Sequence, residues 1–236
     1  MAEIENTNPI DTAGEPSTKG KRFYEKPEET VRRYNIALTN AQADYGILAE
    51  LKKFRYDEAR LKEGMALLNK TIELFAVQKK EFGEQIEASE ALYELTGKCK
   101  AAYNATLEIA RIAFSTDGNA YASLMLAGKR KASKSGWSAQ ALTFYRNFLD
   151  SPAFLEKIGW YGYTGDKLAA EQKMVADVIA ADAKHKKEKG ESQSATELRD
   201  KSFDELSEWM AKFYVVARIA LGTFPQWLEK LGIKQA

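Results

Sequence analysis

The segment Ala110-Arg111-Ile112-Ala113 recurs as Ala217-Arg218-Ile219-Ala220, 107 residues further along the chain. The same offset places Lys79-Lys80-Glu81-Phe82-Gly83-Glu84 on Lys186-Lys187-Glu188-Lys189-Gly190-Glu191. About sixteen of the sixty-six pairs that begin at residues 51–116 are identical without any gap, which is far more than chance gives. A fixed offset over this length predicts two tandem repeats.

The apolar pattern inside these repeats is helical. In the first repeat, apolar and small residues recur in steps of three and four from Leu92 to Ala113, which is the spacing of one face of an α-helix. Gly83 and Gly190 are expected to end one long helix and begin the next, so that each repeat forms a helical hairpin. The sequence therefore predicts an all-α fold, an up-and-down antiparallel helical bundle built from two tandem helical-hairpin repeats with short flanking helices.

The boundaries follow from composition and helix-capping residues. Residues 1–26 form a polar N-terminal tail, and residues 27–128 form the first helical repeat. Residues 129–137 form a basic linker, and residues 138–236 form the second repeat, with Ser138 as the expected N-cap. The two repeats are expected to form one bundle.

Charge and apolar content argue against several classes of partner. The chain has 35 basic and 34 acidic residues, so it has no overall field that would attract nucleic acid or an anionic membrane. No stretch approaches the roughly 20 apolar residues of a membrane span, and nothing resembles a signal peptide. Cys99 is the single cysteine and has no intramolecular disulfide partner. These features indicate a cytoplasmic protein without a membrane partner, for which nucleic acid is an unfavoured partner.

The inventory of reactive side chains is too small for the common catalytic and metal sites. His185 is the only histidine and Cys99 the only cysteine, which excludes the usual zinc and di-iron ligand sets. No glycine-rich phosphate loop is present. We therefore expect no catalytic residues, no cofactor and no metal.

The two repeats differ beside the glycines. The first hairpin tip carries five apolar residues whose counterparts are Ala181, Asp182, Lys184, Lys189 and Gln193. Two interpretations stay open: the apolar tip is covered by the tail or the short helices, or it is an exposed patch that marks an interface. The candidate interface residues are Leu74, Phe75, Val77, Phe82 and Ile86.

Basic residues provide the second candidate site. Arg111 and Arg218 lie within apolar stretches, where a guanidinium either pairs with carboxylates or carbonyls or binds an anion, and the structural role is favoured. Lys129, Arg130 and Lys131 begin the linker and could contact phosphates, although a solvated linker is favoured.

These observations lead to two hypotheses about function. The first is a non-enzymatic structural or protein-interaction bundle that self-associates into a homo-oligomer or larger assembly. The alternative is a binding module for an anionic ligand or nucleic acid that uses Arg111, Arg218 or the basic linker.

Overall fold

A computed structural model of the chain describes residues 26–233, and the regular elements in this range are all helices. The prediction of an all-α chain is thus confirmed for the described residues. The helices fall into a first series, α1–α4, and a second series, α5–α8. Their bounds are α1 Pro27–Ala43, α2 Tyr45–Lys52, α3 Glu58–Ala113, α4 Gly118–Ser123, α5 Lys134–Leu149, α6 Pro152–Gly159, α7 Gly165–Ala220 and α8 Pro225–Lys230.

The two series have matching helix boundaries. Each helix of the second series begins 107 residues after its counterpart in the first, and α3 and α7 both contain 56 residues. The left-handed backbone positions match as well. Arg55 has φ 64° and its counterpart Gly162 has φ 79°, while Met125 has φ 47° and its counterpart Gly232 has φ 67°. Corresponding segments of the two series thus have the same local backbone, even where the residues differ.

The expected breaks at Gly83 and Gly190 are wrong, since α3 and α7 run through both glycines as continuous helices. A glycine inside a helix costs only about 1 kcal/mol relative to alanine. Ion pairs between residues four apart span each glycine: the Lys80 Nζ lies 3.0 Å from a Glu84 oxygen, and the Lys187 Nζ lies 2.9 Å from a Glu191 oxygen. Each of these two segments is therefore one long helix and not a helical hairpin.

Side-chain caps stabilise the starts of the helices α2, α4, α5 and α6. Asp44 caps α2, Asp117 caps α4, and Ser151 caps α6, in each case through a side-chain oxygen that accepts backbone N–H groups. Helix α5 begins at Lys134, capped by Ser133, so it starts four residues before the expected boundary at Ser138. The segment between α4 and α5 accordingly ends at Ser133.

The chain divides into two compact units. Among the described residues, the first contains those up to Met65 together with those from Phe213 to Ile233, and the second contains Ala66–Lys212. In the first unit Leu38, Ile47 and Leu51 are fully buried. There the Asn40 amide donates to the Lys230 carbonyl at 2.6 Å, and the Lys230 ammonium lies 2.8 Å from Asp44.

In the second unit, α3 and α7 pair in antiparallel orientation. Thr71 contacts Ser202, with the two hydroxyl oxygens 2.9 Å apart, whereas Thr106 contacts Glu171 much further along. Helix α5 packs beside this pair and supplies aromatic side chains to the core. The Phe144 ring lies 5.2 Å from that of Tyr103 and 5.0 Å from that of Phe148, measured between centroids.

No helix within residues 26–233 combines the length and the apolar content needed to cross a membrane.

Candidate functional site

The middle of the α3–α7 pair in the second unit is polar along the contact between the helices. Buried residues recur there in steps of three and four, as they do toward the helix ends. At the middle, however, these positions hold Glu81 and Gln85 on α3, and His185, Glu188 and Ser192 on α7. His185 is therefore half-buried in the middle of α7.

A charged groove of about 430 Å³ opens at this point. Glu81, Glu188 and Glu191 place carboxylate oxygens within 4.8 Å of one another. Lysines form ion pairs with them: the Lys187 ammonium hydrogen-bonds to Glu191 and holds the pKa of that carboxyl below its usual value. In the same way, the hydrogen bond with Glu84 raises the pKa of Lys80. Five glutamates and three lysines line the groove, so it combines these ion pairs with an excess of carboxylates.

The five predicted interface residues are divided between buried and exposed positions. Leu74 and Phe75 are half-buried, and the Phe75 ring packs edge-on against Phe203 with centroids 6.1 Å apart. Val77, Phe82 and Ile86 remain 44%, 51% and 42% exposed. The short helices within residues 26–233 therefore leave these three residues exposed, whereas the N-terminal tail, the other proposed cover, lies outside the described residues.

The exposed residues lie on two flanks of α3. At 100° per residue, Phe82 and Ile86 are about 40° apart around the helix axis, whereas Val77 is about 140° from Phe82. Val77 lines a shallow groove together with Leu198 and Ala195 of α7. The structure thus brings Phe82 and Ile86 together as one exposed pair, which we call the Phe82–Ile86 patch, and separates Val77 from it.

The candidate anion-binding residues have different surroundings. Arg111 donates from Nε to the Leu126 carbonyl at 2.9 Å and from Nη2 to the Gly128 carbonyl at 3.1 Å. Arg130 donates to the Tyr103 hydroxyl at 3.1 Å and to the Ala127 carbonyl at 2.7 Å. Both guanidinium groups therefore hold the turn that follows α4.

The remaining candidates are solvent-exposed. Lys129 and Lys131 of the second unit are exposed, and so is Arg218 of the first unit. Arg218 occupies the position equivalent to Arg111. Of these two arginines, it is Arg111 that forms the hydrogen bonds to the turn after α4. Exposed lysines and arginines are usual on a helical surface, and these three carry no further geometric signal.

Sequence reasoning missed a buried carboxylate in the second unit. Glu171 is 7% exposed and accepts hydrogen bonds at the same oxygen from the Thr106 hydroxyl at 2.5 Å and the Tyr145 hydroxyl at 3.0 Å. No ion pair to Glu171 is formed within residues 26–233. The sequence does hold one indication that Glu171 is buried, which is its spacing. Leu168, Glu171 and Val175 follow the same steps of three and four as the apolar residues of this helix face.

The buried Glu171 carboxylate contributes to raised pKa values of two neighbouring side chains. Burial, assisted by the negative charge of Glu171, raises the pKa of the Cys99 thiol to about 11. Burial and the same carboxylate also raise the pKa of Tyr145. Cys99 is therefore a protonated thiol near neutral pH, which is the unreactive form.

Comparisons with models of protein families, with curated proteins and with solved structures find no match to this chain.

Proposed function

We propose that this protein is a non-enzymatic structural protein that associates with further copies of itself through the Phe82–Ile86 patch. The observation that carries the proposal is the exposure of Phe82 at 51% and Ile86 at 42% on one flank of α3. The residues at the matching positions of α7 are Lys189 and Gln193, which are suited to water. Adjacent exposed apolar side chains at positions where the matching helix is polar are suited to contact with another protein surface.

The polar clusters support a role other than catalysis. The carboxylates of the charged groove pair with Lys80 and Lys187, and Glu171 is bound by two hydroxyl groups inside the core. The side chains of each cluster are thus held by ion pairs or hydrogen bonds with their own neighbours. We also propose a cytoplasmic location, because one buried free thiol, Cys99, fits a reducing compartment.

We propose further that the two helix series form an internally duplicated bundle. The common 107-residue offset of all four helix starts supports this, as do the paired left-handed positions at Arg55 and Gly162 and at Met125 and Gly232. Under this proposal, the Phe82–Ile86 patch is a feature that distinguishes one copy of the repeat from the other.

Sedimentation velocity over a wide range of protein concentration tests the association. The test variant is Phe82→Lys with Ile86→Gln, because the chain itself carries these residues at the matching positions of α7. Full burial of an exposed large apolar side chain stabilises by about 1.5–3 kcal/mol, and these two are only about half exposed, so loss of both should weaken association by at least about tenfold. A wild type that stays monomeric at the highest concentration refutes the proposal.

Val77→Lys is the matched control, since Lys184 is its counterpart and Val77 lies on the other flank of α3. We expect this control to associate like the wild type, and circular dichroism should show unchanged helix content in both variants. Loss of association in Val77→Lys alone would place the interface on the flank of α3 that carries Val77, and would refute the proposed patch. Loss in Ile112→Lys alone would place it among the isoleucines that both series expose.

A further inference from the structure

A groove of about 400 Å³ lies between α5 and α7 in the second unit. Its walls are formed mainly by apolar side chains, among them Leu142 of α5 and Val178 and Ile179 of α7. Val178 is fully buried, whereas Ile179 is 43% exposed and faces the open side. A volume of this size with an apolar wall is in the range of small-molecule sites.

Three charged residues stand at the end of the groove. The Lys134 ammonium lies 2.7 Å from one oxygen of Asp182, and the Lys186 ammonium lies 2.8 Å from the other. Hydrogen bonds from Lys134 and then Lys186 lower the pKa of Asp182, so this carboxylate is ionised near neutral pH. Two ammonium groups thus share one carboxylate, and one positive charge is left without compensation in this set.

The ammonium groups also have unused hydrogen-bonding capacity. Each has three N–H donors, of which the contact with Asp182 occupies one. A second carboxylate placed between them would balance the charge and accept two further hydrogen bonds. An apolar wall that ends in such a pair of donors matches a molecule with a hydrocarbon chain and an anionic head.

We propose that the groove between α5 and α7 binds a free fatty acid, with its chain against Leu142 and Ile179 and its carboxylate at Lys134 and Lys186. The ligand buries apolar wall that is otherwise open to water, and its carboxylate completes the charge balance at Asp182. This site is separate from the Phe82–Ile86 patch and does not depend on self-association.

The first helix series does not carry the residues of this groove. Ala139 corresponds to Arg32, which is polar and larger. Leu142 corresponds to Asn35, which is polar and similar in size. Asp182 corresponds to Phe75, whose ring packs against Phe203. The charged end of the groove is therefore found only in the second series.

Titration with sodium dodecanoate, followed by methyl NMR of the full chain, tests the proposal. Ile179 and Ile72 are matched reporters, because they occupy corresponding positions and are 43% and 44% exposed. We expect saturable shifts at Ile179, Val178 and Leu142 and none at Ile72. Equal shifts at Ile72 and Ile179 would show unspecific adsorption of the chain and would overturn the proposal.

Chain-matched ligands test the head-group requirement. Dodecyltrimethylammonium should bind at least about tenfold more weakly than dodecanoate, because it places a cation beside two ammonium groups. Equal affinity for the two ligands would overturn the assignment of the carboxylate to Lys134 and Lys186.

Variants test the position of the ligand. Ala139→Phe and Ala183→Phe each place a ring in the groove and should abolish the dodecanoate shifts; retention of wild-type affinity in both variants would overturn the proposal. Lys186→Ala should weaken binding by about fivefold, as expected for a partly exposed charge, and Lys79→Ala at the matching position should have no effect. Equal losses in Lys186→Ala and Lys79→Ala would contradict the proposed head-group site.

Discussion

The core around α5 and the core around α1 use the same helix positions and fill them with different side chains. Helix α5 supplies Phe144, Tyr145 and Phe148, whereas the matching positions of α1 hold Ala37, Leu38 and Ala41. The distribution is reversed elsewhere. The first compact unit has Tyr34, Phe213 and Trp227 where the second unit has Ala141, Thr106 and Ala120 at the matching positions.

The comparison teaches that packed volume is supplied from different helices in the two cores. Interiors are packed at nearly constant density, so bulk that is missing from one helix has to come from another. Gly46 shows how closely this is adjusted in the first unit: an added Cβ there would lie 2.8 Å from a Trp227 ring carbon. At the matching positions, Ala153 and Ala120 replace this glycine and tryptophan.

The largest effect is expected where the aromatic core is opened. Phe144 is fully buried and lies 5.2 Å, 5.1 Å and 5.0 Å from the rings of Tyr103, Tyr145 and Phe148. Phe144→Ala should lower the free energy of unfolding by about 3–5 kcal/mol, measured by chemical denaturation. Although alanine is the residue found at the matching position Ala37, the surrounding side chains of the second core are built for a ring.

The reverse change, Ala37→Phe, controls for this interpretation. Because the first core already has its volume filled from other helices, overpacking should cost about 1–3 kcal/mol. A Phe144→Ala variant that loses less than about 1 kcal/mol would show that the two cores tolerate each other's side chains.

The next effect concerns the buried carboxylate, which the first series lacks because Gly64 occupies the position of Glu171. Thr106→Val removes a hydroxyl that donates to the Glu171 carboxylate at 2.5 Å and should cost about 2 kcal/mol. The matched control is Thr71→Val. Thr71 is equally buried, but it bonds a neutral hydroxyl on Ser202, so we expect about 1 kcal/mol.

A double-mutant cycle assigns the larger cost to the carboxylate. In a Glu171→Met background, Thr106→Val should lose most of its effect, which gives a coupling energy of about 1–2 kcal/mol. If the cost of Thr106→Val were the same with and without Glu171, the hydrogen bond would contribute nothing specific to the second core.

A smaller effect is expected at the paired left-handed positions. Arg55, at φ 64°, adopts the conformation that its counterpart Gly162 adopts without a side chain. Arg55→Gly should therefore stabilise the fold by about 1 kcal/mol. Gly162→Ala should destabilise it by a similar amount, since no atom lies within 4 Å of the added Cβ and the cost comes from the backbone alone. Thermal or chemical unfolding of both variants measures this, and effects of equal sign would contradict the shared backbone.

The sequence predicted the helical class because helix formation follows from local apolar patterns. It did not predict the packing of Glu171, because the sequence shows the spacing of this residue but not the hydroxyl groups that bind it. The separation of Val77 from Phe82 was missed for another reason. The expected turn at Gly83 made these residues one tip, whereas a continuous helix places them on different flanks.

Gly83 and Gly190 provide the smallest effect and the most direct test of this correction. Both glycines lie inside continuous helices, and no atom lies within 4 Å of a Cβ added to either one. Gly83→Ala and Gly190→Ala should each raise the free energy of unfolding by about 0.5–1 kcal/mol, because alanine loses less backbone entropy in a helix. A hairpin turn at these positions predicts the opposite sign, as at Gly162. The direction of the change in chemical denaturation therefore decides whether the repeated element is one long helix or two short ones.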